Sequence, residues 1–182
     1  MKAKTIFPIV LAGGKGSRIW PLSRTFHPKQ FLKFSSELSL FQQTILRLKS
    51  IRSENFYDPI VICHSVHFDL VKQQLDEVNG KVTSIILEPF SKNTGPAISI
   101  STLFISENFS KEAYILAIPS DHSIQDNEAF EKALSLGKKE VEGNSLVTFG
   151  VKPTSSHSGY GYLELGKENE AGVFEGLSFH EK

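Results

Sequence analysis

Short apolar runs alternate with segments of helical periodicity along the first 150 or so residues of the chain. The apolar runs predict buried strands at residues 5–11, 59–63, 84–87, 113–118 and 146–151. Among the helical segments, the one from Leu40 to about Ser50 starts with a capping-box pair, Ser39 and Gln42. Strands that alternate with helices predict an α/β fold, a Rossmann-like and mostly parallel sheet with helices on both faces.

The pattern changes after Pro153 to glycine, tyrosine and alternating residues. Residues 160–165 and 173–179 alternate in the way that extended strands do, so we expect partly antiparallel chain there. The whole chain has 182 residues, enough for one domain with a sizeable core. We find no internal repeat or linker that would divide the sequence.

The composition gives the chain no bias towards nucleic acid or a membrane surface, because Lys+Arg and Asp+Glu number 20 each. The single cysteine is typical of a reducing compartment, so we expect a cytoplasmic protein. Lys2 and Lys4 ahead of an apolar run resemble a short signal peptide. Pro8 interrupts that run and a glycine-rich loop follows it, so we interpret it as a buried first strand.

The loop after the first predicted strand is rich in glycine and basic residues, since residues 11–30 read LAGGKGSRIWPLSRTFHPKQ. Glycines allow the backbone to approach a ligand and to take positive φ angles, and successive N–H groups there can cradle an anion. The glycines are Gly13, Gly14 and Gly16, and the cations are Lys15, Arg18, Arg24 and Lys29. The alternative is a glycine-rich turn with solvated basic residues. The loop does not match a Walker A motif. It does not match the dinucleotide fingerprint GxGxxG either, because Ile19 stands where that motif has its third glycine.

Two further loops follow predicted strands, where ligands bind in parallel sheets. Residues 87–98 read LEPFSKNTGPAI, in which Glu88, Asn93 and Thr94 either meet a ligand or only cap the next helix. Residues 118–126 read IPSDHSIQD, in which Asp121 is either a turn residue or a carboxylate that holds Mg²⁺ with substrate phosphates. His122 is open to a catalytic or a structural interpretation.

The string GGKGSR, followed by Pro21 and Pro28-Lys29, resembles the signature GGxGxRxxPxxxxxPK of the sugar-1-phosphate nucleotidyltransferases. WPLSR and PKQFL are similar to the mannose-1-phosphate guanylyltransferase branch, although Ser17 and Ile19 replace the more usual Thr and Leu. The resemblance implies a nucleotide-diphospho-sugar transferase fold. It also implies that Arg18 pulls on the pyrophosphate leaving group and that Lys29 neutralises charge at the reacting phosphates. The nucleotide would be held by Leu11, Ala12, Gly13, Gly14, Gly16 and Ser17.

The later loops extend this resemblance. LEPFSKNTGPAI is similar to the branch's EPxxRNTAPA segment, which borders the base and ribose, with Lys92 and Gly95 in place of Arg and Ala. The resemblance therefore places Glu88, Asn93 and Thr94 at the nucleotide. IPSDHSI resembles the motif PSDHxI, which implies nucleotide contact by Ser120 and Mg²⁺ binding by Asp121.

The last third carries two more similar segments. TFGVKPTSSHSGYGY is close to the branch's TFGIxPTxPxTGYGYI, and the final residues FHEK resemble the start of FxEKP. The resemblance implies that the sugar phosphate is bound by Gly159, Tyr160, Gly161, Glu181 and Lys182. From the residues alone, a tight turn with two half-buried tyrosines is the alternative for GYGY.

The implied reaction transfers GMP from GTP to mannose-1-phosphate with Mg²⁺ as cofactor, and it yields GDP-mannose and pyrophosphate. The alternatives are a related transferase for another base or hexose-1-phosphate, and a non-catalytic protein that binds nucleotide sugars. In the family the catalytic domain continues beyond Lys182 with a second metal-binding aspartate. We therefore expect residues 1–182 to be the N-terminal portion of that domain, poorly active alone, with homo-oligomerisation left open.

Overall fold

A computed structural model describes residues 4–14, 19–24, 26–34, 36–51, 55–90 and 92–181. The chain divides into two compact units, Met1–Gln125 and Asp126–Lys182. Within the described ranges, no helix has the length and the apolar character needed to cross a membrane. That residues 1–182 belong to one larger catalytic domain stays a prediction.

In the described residues, the first unit contains a four-stranded sheet and three α-helices. Its elements are β1 (Ile6–Leu11), α1 (Leu40–Ser50), β2 (Ile60–His64), α2 (Phe68–Glu77), β3 (Ser84–Glu88), α3 (Thr94–Asn108) and β4 (Tyr114–Pro119). The strands are all parallel, in the order β3-β2-β1-β4, which confirms the predicted fold class. Pro8 is accommodated inside β1 because pairing with β2 begins one residue later, at Ile9.

Both faces of the two central strands, β1 and β2, are buried, as is usual in a parallel sheet. One face packs on α3 and the opposite face buries the alternate residues of the same strands. The first set comprises Phe7, Ile9, Ile60 and Ile62 with Ala97 and Ile105 of α3, and the second comprises Val10, Val61 and Cys63. Because β1 is buried in the middle of the sheet, the interpretation of residues 5–11 as a strand is confirmed.

A buried polar network joins α1, α2 and a short 3₁₀ turn at Lys29–Phe31. The predicted capping box is present: Ser39 Oγ accepts from the Gln42 backbone N–H, and Gln42 Oε1 accepts from that of Ser39. Ser39 Oγ in turn donates to Gln74 Oε1 at 2.6 Å, and Gln74 Nε2 donates to the carbonyl oxygen of Phe31 at 3.0 Å. The network therefore fixes the 3₁₀ turn against the two helices.

The second unit comprises α4 (Asn127–Glu142) and a two-stranded antiparallel sheet of β5 (Tyr162–Glu168) and β6 (Phe174–His180). The prediction of antiparallel chain after Pro153 is confirmed by this hairpin. Asp126 caps α4, because its side chain accepts from the backbone N–H of Ala129 at 2.9 Å. Gly143 terminates the same helix, as its sequence position predicts.

The predicted strand at residues 146–151 is wrong, since the chain there is irregular. A strand needs a hydrogen-bonded neighbour, and no described strand pairs with this segment. Leu146 and Val151 are consequently almost fully exposed. Phe149 packs beside α4 instead, where a Cβ added to Gly137 would lie 3.0 Å from its ring. The apolar residues of the segment thus serve in part to cover a helix rather than to form a strand.

Candidate active site

The ends of β1 and β4 lie side by side, and hydrogen bonds from Ser120 join the loops that follow them. Its backbone N–H donates to the carbonyl oxygen of Leu11 at 3.1 Å, and its hydroxyl donates to the same oxygen at 2.7 Å. The backbone N–H of Ala12 donates to the carbonyl oxygen of Ile62 on the other side, at 2.8 Å. The loop predicted to meet phosphate therefore starts from a rigid point in the centre of the sheet.

Lys29 and Asp121, to which the resemblance gives roles at the reacting phosphates and the metal, meet at this edge. Lys29 Nζ donates to the carbonyl oxygen of Asp121 at 3.1 Å and lies 3.5 Å from its Oδ2. The side chains are 37% and 43% exposed, so both are accessible to a ligand. His122 Nε2 lies 3.9 Å from Asp121 Oδ1, which places this histidine at the margin of the pair.

Gln30 is a site residue that the sequence analysis missed. Its buried side-chain amide donates to the carbonyl oxygens of Ala12 and Gly14, each at 2.9 Å. Both amide hydrogens are thus used to hold the first residues of the glycine-rich loop. The available signal was the position of Gln30 next to Lys29 in the PKQFL string. Neighbouring side chains of a 3₁₀ turn point in different directions, so Gln30 can point inward when Lys29 points outward.

The glycine-rich loop differs from its predicted conformation. We expected positive φ angles at its glycines, but neither Gly13 nor Gly14 has one. Gly13 lies close to the Glu88 side chain, since an added Cβ would lie 2.6 Å from its Oε2 and the carboxyl group would have to shift. An added Cβ at Gly14 would have no neighbour within 4 Å, so its surroundings are open. The predicted site residues Gly16, Ser17 and Arg18 and the cation Lys15 lie outside the described residues.

Glu88 ends β3 and faces the loop from two strands away. Burial raises the pKa of its carboxyl group above the ordinary value, while the nearby His64 acts in the opposite direction. His64 is paired in register with Glu88 and was not singled out in the sequence. Burial, and secondarily the Glu88 charge, raises the pKa of the Cys63 thiol to about 12. The buried cysteine is therefore an inert part of the sheet.

Asn93 and Thr94 lie at the start of α3 and are both exposed. Asn93 occupies the N-cap position with φ of 65°, but its side chain makes no capping hydrogen bond. Helix capping, the alternative for this segment, therefore does not account for the Asn93 side chain. Gly95 is the second residue of α3, and an added Cβ there would meet no atom within 4 Å.

The second unit gathers most of the residues predicted to bind the sugar phosphate. An added Cβ at Gly161 would lie 3.5 Å from the carbonyl oxygen of His180 and 3.9 Å from Oε2 of Glu181. Tyr162 opens β5 directly opposite His180, so the turn before β5 and the residue after β6 share one end of the hairpin. Tyr160 is 63% exposed in that turn, and Lys182 lies outside the described residues.

Within the described ranges, no three His, Cys, Asp or Glu side chains converge as a metal site. The prediction of Mg²⁺ therefore rests on Asp121 as a single protein ligand. Protein sites for Mg²⁺ commonly use only one or two carboxylates, with substrate phosphates and water completing the octahedron. Asp121 supplies an accessible carboxylate at the loop edge, with Lys29 Nζ 3.5 Å from its Oδ2. The residues present therefore fit a metal that arrives with its phosphate ligand.

Known proteins are similar to nearly the whole chain. A model of the nucleotidyl transferase family matches residues 7–182. A mannose-1-phosphate guanylyltransferase of Salmonella typhimurium is 43% identical over 164 residues, 90% of this chain and 34% of the relative. One from Escherichia coli K12 is 38% identical over an alignment of 187 positions, which covers all of this chain and 38% of the relative. The chain thus spans little more than a third of these relatives' length.

A solved structure from Thermus thermophilus, described as a mannose-1-phosphate geranyltransferase, has a TM-score of 0.82. It is 28% identical, and the similarity covers 97% of this chain and 50% of that one. The match includes both the parallel sheet and the hairpin, since it extends over nearly all residues. From the family match over residues 7–182, together with these similarities, the chain belongs to the nucleotidyl transferase family.

Proposed function

We propose that the protein transfers GMP from GTP to mannose-1-phosphate, giving GDP-mannose and pyrophosphate. The observation that carries this proposal is the meeting of Lys29 with Asp121 beside the loop after β1. The choice of substrates is supported by relatives 38–44% identical that are named mannose-1-phosphate guanylyltransferases. A cytoplasmic location and homo-oligomerisation stay predictions.

The nucleotide is bound in this proposal by the edge of the parallel sheet. Backbone N–H groups of the glycine-rich loop hold the phosphates, because consecutive N–H groups form an anion cradle. The contributing residues are Leu11, Ala12, Gly13, Gly14, Gly16 and Ser17, with Ser120 beneath them. Glu88 accepts from the guanine N1–H and amino group, and Asn93 and Thr94 meet the base and ribose. The open N-cap side chain of Asn93 supports its role.

The reaction is the attack of a sugar phosphate oxygen on the α-phosphorus of GTP, with pyrophosphate leaving. The second pKa of a phosphate monoester is about 6, so the nucleophile is ionised at neutral pH and needs no general base. The task of the protein is to hold two anions together, and fixed positive charge does this. Lys29 supplies a cation at this edge, and Arg18 would act on the leaving pyrophosphate. Mg²⁺ held by Asp121 would neutralise charge on the substrate phosphates.

The sugar phosphate is assigned to the end of the hairpin in the second unit. Glu181 accepts from sugar hydroxyls, and Lys182 pairs with the phosphate group. The close approach of Gly161 to Glu181 and the exposure of Tyr160 support this assignment, because a carboxylate and an aromatic ring are then both accessible at this end of the hairpin. Gly159 completes the turn.

A substrate panel on the complete gene product tests this proposal. GTP, ATP, UTP and dTTP are each incubated with Mg²⁺ and either mannose- or glucose-1-phosphate, and pyrophosphate release is recorded. We expect the GTP and mannose-1-phosphate pair to give the highest kcat/KM, with the Escherichia coli K12 relative assayed beside it as a reference. Another preferred pair would assign the site to a different sugar nucleotide, and nucleotide binding without turnover would make it a non-catalytic binding protein.

A further inference from the structure

His157 organises the turn that carries Gly159 and Tyr160. Its ring Nδ1 accepts a hydrogen bond from the backbone N–H of Gly159 at 3.0 Å. The same ring stacks on the ring of Tyr160, with centroids 4.5 Å apart and planes at 27°. One side chain therefore fixes both the backbone of the turn and the direction of its exposed tyrosine.

The backbone of His157 is held as well. Its N–H donates to the hydroxyl oxygen of Tyr162 at 2.8 Å, and that hydroxyl donates to its carbonyl oxygen at 3.1 Å. Tyr162 is the first residue of β5, so these two bonds anchor His157 to the hairpin. Together with the ring stack and the Gly159 bond, they make His157 the link between a strand and the Gly-Tyr-Gly turn.

The absence of a side chain at Gly159 is matched to this histidine. A Cβ added there would lie 2.9 Å from Cε1 and 3.0 Å from Nδ1 of the His157 ring. Any larger residue would require the ring to shift. Because Nδ1 accepts, the neutral ring carries its proton on Nε2.

We propose that His157 is a positioning residue for the sugar phosphate, which acts by holding Tyr160 and the Gly159 backbone in the orientation that receives this substrate. The inference rests on the proposed function, which places the sugar phosphate at this turn. One face of the Tyr160 ring is covered by His157, while the side chain as a whole stays 63% exposed and available to a ligand. A preset ring loses less freedom on binding than a mobile one, which strengthens binding without changing the chemical step.

The test compares two substitutions in the complete gene product. His157→Ala removes the acceptor and the stacked ring, and we expect KM for mannose-1-phosphate to rise ~10-fold, with kcat and KM for GTP within about threefold of wild type. His157→Asn keeps an acceptor that can reach the N–H two residues on, so it should recover most of the loss in KM. Tyr162→Phe removes the anchoring hydroxyl and should raise the same KM. Ser155→Ala, at an exposed neighbour, is the matched control.

A second readout separates the failure of this inference from that of the proposed function. The hydrogen exchange of the Gly159 amide, followed by NMR, should accelerate in His157→Ala and stay slow in His157→Asn. An unchanged KM for mannose-1-phosphate in His157→Ala would overturn the positioning role, as would equal losses for both substrates. Slow Gly159 exchange in His157→Ala would overturn the structural link itself. If the wild-type protein does not use mannose-1-phosphate, the role of His157 in sugar phosphate binding is wrong. This holds even if the exchange of the Gly159 amide follows the prediction.

Discussion

Nζ of Lys29 lies 3.5 Å from Oδ2 of Asp121 although 92 residues separate them in the sequence. The ion pair is more than a third exposed on both sides, and such pairs add little to stability because water screens them. The importance of the pair is therefore that it brings a cation and a carboxylate to one point beside the glycine-rich loop. Substitution of each residue alone separates the roles of the two charges.

Lys29→Ala should lower kcat by ~10² or more, because preorganised charge at a transition state commonly contributes that much. The loss should appear at saturating GTP and mannose-1-phosphate in a steady-state assay of pyrophosphate release. Lys33→Ala removes an exposed cation four positions along and serves as the control. A Lys29→Ala rate within a factor of about three of wild type would make Lys29 a structural residue, because a transition-state cation costs far more to remove.

Asp121→Asn keeps the shape of the side chain and removes its charge. We expect Mg²⁺-dependent turnover to collapse while nucleotide binding without Mg²⁺ largely persists, because the carboxylate is assigned to the metal. Titrations of activity with Mg²⁺ and of binding with GTP measure the two effects. Asp76→Asn, at an exposed position of α2, should match wild type in both. A Mg²⁺ titration of Asp121→Asn that overlays wild type would assign the metal to another residue.

Gln30→Met tests the brace of the glycine-rich loop. The substitution keeps the volume but leaves the carbonyl oxygens of Ala12 and Gly14 without their donors. We expect a loss of about 1–3 kcal/mol in the free energy of unfolding, the usual cost of a buried unsatisfied polar group. GTP affinity should fall with it, because the loop loses its fixed shape. Urea denaturation and calorimetry measure the two effects.

Gln73→Met is the comparison for that variant, since it removes one exposed hydrogen bond, to Glu77. It should leave both the unfolding free energy and GTP binding near wild type. Equal behaviour of the two glutamine variants would show that Gln30 does not brace the loop.

Glu88→Gln tests the carboxyl group next to the loop, whose pKa is raised by burial. Because burial raises the pKa of Glu88 in the folded protein, the folded state binds more protons than the unfolded state between the unfolded pKa, about 4.3, and the folded one. The contribution of Glu88 to wild-type stability should therefore fall as pH rises through this window and stay lower above it. Glu88→Gln should lack that fall and be at least as stable at pH 7, while GTP binding weakens because guanine loses its charged acceptor.

The measurements for Glu88→Gln are denaturation midpoints from pH 4 to 8 and a GTP titration at pH 7. Glu107→Gln, at an exposed position of α3, should reproduce the wild-type pH profile. A variant that is less stable at pH 7 yet binds GTP normally would contradict both parts of the assignment.

Local sequence patterns predicted the four parallel strands and the capping box of Ser39 and Gln42 well. Apolar runs that end at glycine, proline or polar residues mark buried strands, and a capping box involves residues three positions apart. The loops of Lys29 and Asp121 were expected at one edge of the sheet for a similar reason, because the carboxyl ends of neighbouring parallel strands meet there.

The failures involve contacts between distant parts of the chain. Residues 146–151 have the pattern of a strand, but pairing depends on a neighbour that local periodicity cannot identify. The donation from Gln30 to Ala12 and Gly14 depends on how a 3₁₀ turn folds back, and the close approach of Glu88 to Gly13 depends on sheet order. Positive φ at the loop glycines was expected from residue type alone, and neither Gly13 nor Gly14 has it.

The most direct test of the proposed reaction follows the α-phosphate of GTP. The complete gene product is incubated with Mg²⁺, mannose-1-phosphate and GTP labelled at the α-phosphorus, and the products are separated. We expect the label to move into GDP-mannose with one pyrophosphate released per transfer, and Lys29→Ala and Asp121→Asn both to suppress the transfer. Label that stays in GTP, or that appears as free GMP whether or not mannose-1-phosphate is present, would contradict the proposed reaction.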